Sequence, residues 1–390
     1  MGSKTKKGNM VKILTLLLLV LLLSVSITIS CAPASAPSTP SGKPSPAPVS
    51  TLVTVPASPA PEEIAWEKLV QAAKQEGRLT IYSYSLVGDI GIAVSRRFSE
   101  KYGITLSLVS GTGAQIVERI RTEQRSGQVA ASVVDAAPAT IYLLKDANFT
   151  VSSAEVPVLQ QKDVWLIDPK GSDQAGHILA NRFYFHSAYI NTRLVKAGDE
   201  PRSLKELTQP KWAGKMVIAD PTFASTPYTF FSVLLRHKNI DLETVRAVGR
   251  NNVKFAINAN LAAMDVAKGD YAIDVGSADP SYAPLILASA PVKAIPFEEG
   301  TVVAISAIAA LNKAPHPNAA KLFINWLLTQ EGQTVYLKEE HSLSPRKDVP
   351  DFRTEASRLT PTRLVTLTAE DYMENAKAVS DRVLVKLWKE

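Results

Sequence analysis

The stretch RLTIYSYSLVGDIGIAVSRRFSEKYGITLSLVSGTGAQIVERIRTEQRSG, residues 78–127, decides the fold. RLTIYSYS reads as a strand, rich in β-branched and aromatic residues. IGIAVSRRFSEKYG then places Ile90, Val94, Phe98 and Tyr102 on one helical face and stops at Gly103, the residue type that accepts a left-handed terminal turn. ITLSLVS alternates Ile104, Leu106 and Leu108 with smaller or polar neighbours, as a strand does. GTGAQIVERIRTEQRSG is a glycine turn opening a helix, SVVDA is a short buried strand, and TIYLLKDAN is helical. The order β, α, β, α, β, α predicts a parallel sheet with right-handed crossovers. Ligands of such sheets lie beyond the carboxyl ends of the strands, which makes Tyr84, Ser85, Ser110, Thr112 and Asp135 candidates.

Working outward, AWEKLVQAAKQEG (65–77) precedes this unit as a helix ending at a glycine. A second α/β unit starts after about residue 170. GKMVIADP is a strand leading to a helix that Ser225 or Thr226 can cap, with Pro227 in its first position. Such a helix start, with hydroxyls beside it, is a seat for an anionic group. NANLAAMDVAKGDYAIDVG gives helix, glycine and strand, with Asn258 and Asn260 at the helix start and Asp279 and Tyr282 past the strand end. Glu299 precedes a glycine turn before the strand TVVAISAIAAL, and Phe323, Trp326 and Leu327 are core anchors beyond it. Plainer readings stand beside these. Ser110, Thr112, Ser225, Thr226, Asn258 and Asn260 suit helix caps or turns, Asp135 suits its own turn, and Glu299 suits a solvated surface. The charge of any ligand stays open: Ser225 and Thr226 invite an anion, whereas Asp135, Asp279, Glu298 and Glu299 favour an amine.

The N-terminus describes where the protein works. Lys4, Lys6, Lys7 and Lys12 precede an apolar run from Ile13 to Leu23, then small and polar residues up to Cys31, the chain's single cysteine. A charged, an apolar and a small-residue segment in that order form an export signal. Thr28, Ile29 and Ser30 before Cys31 resemble a bacterial lipobox, with Thr28 where Leu is usual, so residues 1–30 read as a lipoprotein signal peptide and Cys31 as the lipidated residue. An uncleaved membrane anchor is the rival reading. Residues 31–61, almost all Ala, Pro, Ser, Thr and Val, cannot bury a core and read as an extended tether. Removing the four leader lysines takes the formal charge from +6 to +2, which leaves no electrostatic footprint for nucleic acid. With no second cysteine the fold owes nothing to internal disulfides.

Catalytic motifs are missing. His177, His186, His237, His316 and His341 form no HExxH or similar metal spacing, and no GxSxG elbow occurs. SPRK (344–347) matches SxxK by letter, but Pro345 follows the serine in a loop and no SDN or KTG accompanies it. GTGAQI lacks the third glycine of a dinucleotide fingerprint. No catalytic residue or cofactor is expected, with an exported hydrolase as the remote alternative.

The run FEEGTVVAISAIAALNKAPHPNAAKLFINWLLTQEGQ, closed by SLSPRKDVP, resembles the C-terminal signature of extracellular solute-binding proteins of ABC importers, in the group that includes ferric-iron-binding proteins. YINTRLVKAGDEPRSLKELTQPKWAGKMVIADPTFASTPYTFF and RLTIYSYS with its following helix agree, so the similarity spans about residues 66–350. It implies a type II periplasmic-binding-protein fold: two Rossmann-like α/β lobes joined by crossing hinge strands that close on a solute. The expected division is 62–170 for the first part of lobe 1, 171–284 for lobe 2, and 285–390 for the return to lobe 1 and the C-terminal helices. A monomer anchored by lipid on the outer face of the cytoplasmic membrane, beside an ABC permease, is the implied setting. Iron binders of the group use a His, a Glu and paired tyrosines. Those places fall near Tyr84 and Ser85, near Ala136 and Ala137, and within 278–282, where only Tyr282 is a tyrosine. One phenolate plus Asp135 or Asp279 is a thin ligand set for ferric ion. A small polar organic solute is therefore expected, with ferric iron or an iron chelate as the alternative.

Overall fold

The computed structural model describes residues 61–388 apart from 172, 221–225, 360, 362, 368–370, 372–373 and 375–382. The leader, Cys31, the tether before Pro61 and Ser225 therefore lie outside the described residues.

The first half runs α1 (Pro61–Glu76), β1 (Arg78–Ser83), α2 (Gly88–Tyr102), β2 (Thr105–Ser110), α3 (Gly113–Ser126), β3 (Val133–Ala136), α4 (Pro138–Asp146) and β4 (Thr150–Val151). β1 pairs in parallel with β2 on one side and β3 on the other. The alternation of apolar residues dictates the layers. Leu79, Ile81 and Val133 face a core with Val94 and Phe98 of α2. Tyr82 and Val134 face the opposite core with Ile116, Val117 and Ile120 of α3 and Ile141 of α4.

A long strand, β5 (Leu179–Asn191), leads into the second half: β6 (Met216–Ala219), α5 (Thr226–Arg236), α6 (Leu242–Arg250), β7 (Lys254–Ala256), α7 (Ala259–Lys268), β8 (Ile273–Ala278), α8 (Asp279–Leu287) and β9 (Val292–Ile295). The pattern repeats, because β6 pairs in parallel with β7 and β8. Here too the sheet has a core on each face. Met216, Ile218 and Val275 pack with Phe230 and Phe231 of α5, while Val217 packs with Ala262 and Val266 of α7.

The chain then returns through β10 (Thr301–Leu311), α9 (Pro317–Leu327), α10 (Gln330–Glu340), β11 (Leu364–Thr366) and α11 (Val383–Trp388). β10 is antiparallel to β3 and β5, and β5 is antiparallel to β8, giving the order β2-β1-β3-β10-β5-β8-β6-β7. β5 and β10 thus cross from one half to the other. The expected anchors Phe323, Trp326 and Leu327 are fully buried, and Phe323 and Trp326 pack on Phe98 with ring centroids 5.2 and 5.3 Å away. Burying side chains of this size stabilises the fold by about 1.5–3 kcal/mol each.

Both crossing strands are irregular where they leave a half. The β5–β10 register shifts between Ser306 and Ala307, and the β5–β8 register shifts between Ser187 and Ala188. The second shift leaves Gly276 of β8 unpaired at φ 77°. A Cβ there would lie 2.9 Å from Pro227 Cα, so glycine lets the first turn of α5 approach the crossing strand.

Candidate functional site

Within β5 the side chains alternate strictly. Phe183 and Phe185 enter a small core with Val303. Arg182, Tyr184 and His186 fall on the other face. Across β10, Ser306 pairs with Arg182, Ala304 with Tyr184 and Val302 with His186.

At the first-half end of this row, Arg182 is 3% exposed and both of its terminal nitrogens are engaged. Nη2 donates to the Tyr84 hydroxyl at 3.2 Å, and Nη1 donates to Ser342 Oγ at 3.2 Å and pairs with Glu340 at 2.6 Å. Its guanidinium carbon lies 5.8 Å from the Tyr84 ring centroid and 5.2 Å from that of Tyr184. Burial works against the charge, but the oxygens of Tyr336, Tyr84, Glu340 and Tyr184 outweigh it and hold the group protonated. Tyr84 also bonds Ser306 Oγ. Burial lifts its phenol above the usual range despite Arg182.

At the second-half end stands His186, 2% exposed, with its ring 5.4 Å from that of Tyr184. Neither ring nitrogen makes a well-formed hydrogen bond among the described residues, although the backbone carbonyls of Gly276 and Thr226 face the ring. Burial lowers its pKa to about 4, and the neighbouring backbone of Gly276 and Thr226 opposes this only in part, so the imidazole is neutral at neutral pH. Thr226, the first residue of α5, has a buried Oγ1 that also lacks a partner among the described residues. Unpaired buried polar atoms are rare in native folds and call for a ligand or water. Here they gather beside a helix start, where the first N–H groups are unused within the helix and the dipole is positive.

The residues expected from the sequence fall into distinct places. Tyr84 and Thr226 belong to the row just described. Ser85 and Asp135 form a closed knot instead. Asp135 is fully buried and accepts from Ser83 Oγ at 2.5 Å, Ser85 Oγ at 2.6 Å and Asn181 Nδ2 at 2.8 Å. Ser85 Oγ also lies 2.9 Å from the Tyr336 hydroxyl. Ser110 is exposed at the end of β2. Thr112 caps α3, its Oγ1 accepting from Gln115 N at 3.3 Å, and Asn258 caps α7, its Oδ1 accepting from Leu261 N at 2.9 Å. Asn260 is exposed in the first turn of α7.

Asp279 is buried, where it accepts from Tyr189 Oη at 2.6 Å and pairs with Arg353 at 3.4 Å. Tyr282 is fully buried, stacked on Tyr189 with centroids 3.7 Å apart, and donates to Asp274 at 3.1 Å. Its phenol therefore lies in the core formed by Tyr189 of β5 with α7 and α8, away from the Arg182–His186 row. Glu299 Oε1 accepts from Leu204 N at 2.9 Å, beside a surface hollow shared with Lys205 and Asn239. Among the described residues no three His, Cys, Asp or Glu side chains form a group able to hold a metal ion. None of their helices is long and apolar enough to cross a membrane.

Strand-end reasoning missed Arg182, Tyr184, His186, Ser306 and Glu340. The available signal was LANRFYFHSAYIN, where Arg182, Tyr184 and His186 alternate with Phe183 and Phe185 inside a long strand.

Residues 79–339 match the family model of bacterial extracellular solute-binding proteins. An uncharacterized protein of Haemophilus influenzae is 26% identical over 293 residues, 70% of this chain and 79% of that protein. Iron-bound HitA from Pseudomonas aeruginosa has a similar structure, with a TM-score of 0.65 over 78% of this chain and 98% of its own at 20% identity. AfuA from Actinobacillus pleuropneumoniae, with fructose-6-phosphate bound, gives 0.64 over 80% and 99% at 20% identity. Trichodesmium FutA, in complex with iron and citrate, gives 0.65 over 80% and 98% at 20% identity. At these identities the likeness to solved structures concerns the fold.

Proposed function

The chain belongs to the bacterial extracellular solute-binding proteins, with a type II periplasmic-binding-protein fold, and from that premise we propose that it captures a small organic anion on the Arg182–Tyr184–His186 face and delivers it to an ABC permease. One observation carries the reading: among the described residues Thr226 Oγ1 has no partner and neither His186 nitrogen makes a well-formed hydrogen bond, all buried beside the start of α5. An anionic group there would accept from the helix N–H groups, Thr226 and the single N–H of a neutral imidazole. The half-buried Tyr184 ring gives a carbon skeleton a flat surface to lie on. AfuA, which holds a sugar phosphate on the same fold, supports an organic anion. HitA holds iron, but the oxygen ligands that iron would require here are engaged elsewhere, Asp135 and Asp279 in internal bonds and Tyr282 on Asp274.

In this reading the first-half elements with α9 and α10 form one lobe, and β6–β9 with α11, whose Trp388 packs on Phe231, form the other, so that the segment after residue 284 serves both lobes, with β5 and β10 as the hinge. A solute that touches Tyr84 on one side and Thr226 on the other favours the closed state, because it binds that state better. Lipid on Cys31 and the tether behind it keep the receptor beside its permease.

Native mass spectrometry of the protein purified without chelators, set against its denatured mass, tests the proposal. An organic excess is expected, and Thr226→Ala or His186→Ala should each weaken that solute's binding about ten- to a hundredfold, the loss of one charge-assisted hydrogen bond. An excess of one iron atom, with binding insensitive to both variants, would overturn it.

A further inference from the structure

A buried arginine on a solute-binding face is an obvious seat for the solute's negative charge, yet Arg182 is already neutralised. Glu340, the last residue of α10, stands 2.6 Å from Nη1, and the two side chains are 4% and 10% exposed. His341 follows in the left-handed region at φ 54°, its N–H bonded to Leu337 O and its Nδ1 3.1 Å from Phe352 O. That turn brings Ser342 back to the same Nη1, at 3.2 Å. Tyr84 takes Nη2, and Nε is buried without a partner among the described residues.

We infer that Glu340 is a built-in counter-anion that sets the charge selectivity of the face: it fills the ionic position on Arg182, so the solute presents an uncharged, hydroxyl-bearing part there. The inference rests on the reading that this face takes the solute. A second carboxylate or phosphate at Arg182 would stand against Glu340 in a dry setting, where like charges repel strongly. Nε has one donor to offer, which matches a hydroxyl oxygen. The anionic group of the solute then goes to His186 and Thr226, four residues and roughly 13 Å further along β5. The ligand class is a polyhydroxylated compound with one terminal anionic group.

The test uses the full chain as wild type, Glu340→Ala, Glu340→Gln and Glu340→Ala combined with Arg182→Gln. Thermal unfolding is followed with sodium acetate and, as control, sodium chloride. Glu340→Ala should melt below wild type and recover saturably in acetate, which replaces the missing carboxylate, whereas the double variant should not respond. Glu340→Gln should bind inorganic phosphate at least about tenfold more tightly than wild type, a change of about 1.4 kcal/mol. If Glu340→Ala does not fold unaided, refolding in acetate should restore it. An acetate response that is absent, or that persists without Arg182, would overturn the counter-anion, as would unchanged phosphate binding by Glu340→Gln. The acetate response reports on Arg182 alone, so a failure of the solute reading leaves it intact.

Discussion

Asp274→Asn should remove a large pH dependence of stability. Asp274 lies in β8 at 2% exposure, on the face packed against α7 and α8. Burial pushes its carboxyl from 3.8 up to about 7, the nearby Ser277 hydroxyl and the hydrogen bond from Tyr282 oppose the shift, and nearby Asp265 adds to it. A carboxyl harder to ionise in the folded chain than in the unfolded one contributes stability that is complete below the unfolded pKa. That contribution is lost as pH rises through the folded value. At 1.36 kcal/mol per pKa unit, the full loss is about 4 kcal/mol, of which about 2.5 kcal/mol falls between pH 5 and pH 8. Asn keeps an oxygen for the Tyr282 hydroxyl and cannot ionise. Urea unfolding of wild type and variant at about pH 5 and about pH 8 measures the difference. Wild type should lose stability over that interval, whereas the variant should lose little and be the more stable of the two at the higher pH. Parallel losses in both proteins would refute the reasoning, because the titrating group would then lie elsewhere. The outcome also bears on Tyr282, whose phenol is held in the core by this carboxylate.

Three further outcomes are expected. Asp135→Ala leaves Ser83, Ser85 and Asn181 without their acceptor and should cost about 3 kcal/mol in denaturant unfolding; an unchanged midpoint would contradict the closed knot. Gly276→Ala puts a methyl 2.9 Å from Pro227 Cα at a positive φ and should destabilise by about 1–3 kcal/mol while weakening solute binding; wild-type melting with normal affinity would mean that α5 does not need that approach. Cys31→Ser should abolish metabolic lipid labelling of the protein, and continued labelling would remove the anchor.

Much of the fold was legible because period and punctuation agree along the chain. Ile90, Val94, Phe98 and Tyr102 recur at helical spacing before Gly103, and Val94 and Phe98 are fully buried. The parallel set β2-β1-β3 follows from alternating strands and helices, since helical crossovers return the chain in the same direction. The order in which β5 and β10 cross was not legible in the residues alone. The apolar run of β10 and the mixed run of β5 show that each is a strand, but neither carries a sign of its neighbours.

The site was harder to read, and the reason is partnership. The strand-end rule names positions, but whether a side chain there can meet a ligand depends on which groups arrive from elsewhere. Asp135 stands at such a position, yet Asn181 from β5 and Tyr336, through Ser85, close it off. His186 stands mid-strand, where a polar residue reads as an interruption, and makes no well-formed hydrogen bond among the described residues. A buried polar group is costly unless something pairs with it, so a fold that leaves several such groups together is shaped around an absent partner. By that criterion the unmet atoms of His186 and Thr226 are the ones the proposed solute would satisfy. The well-met oxygens of Asp135, Asp279 and Tyr282 point to the scaffold, although the two sets are alike in sequence.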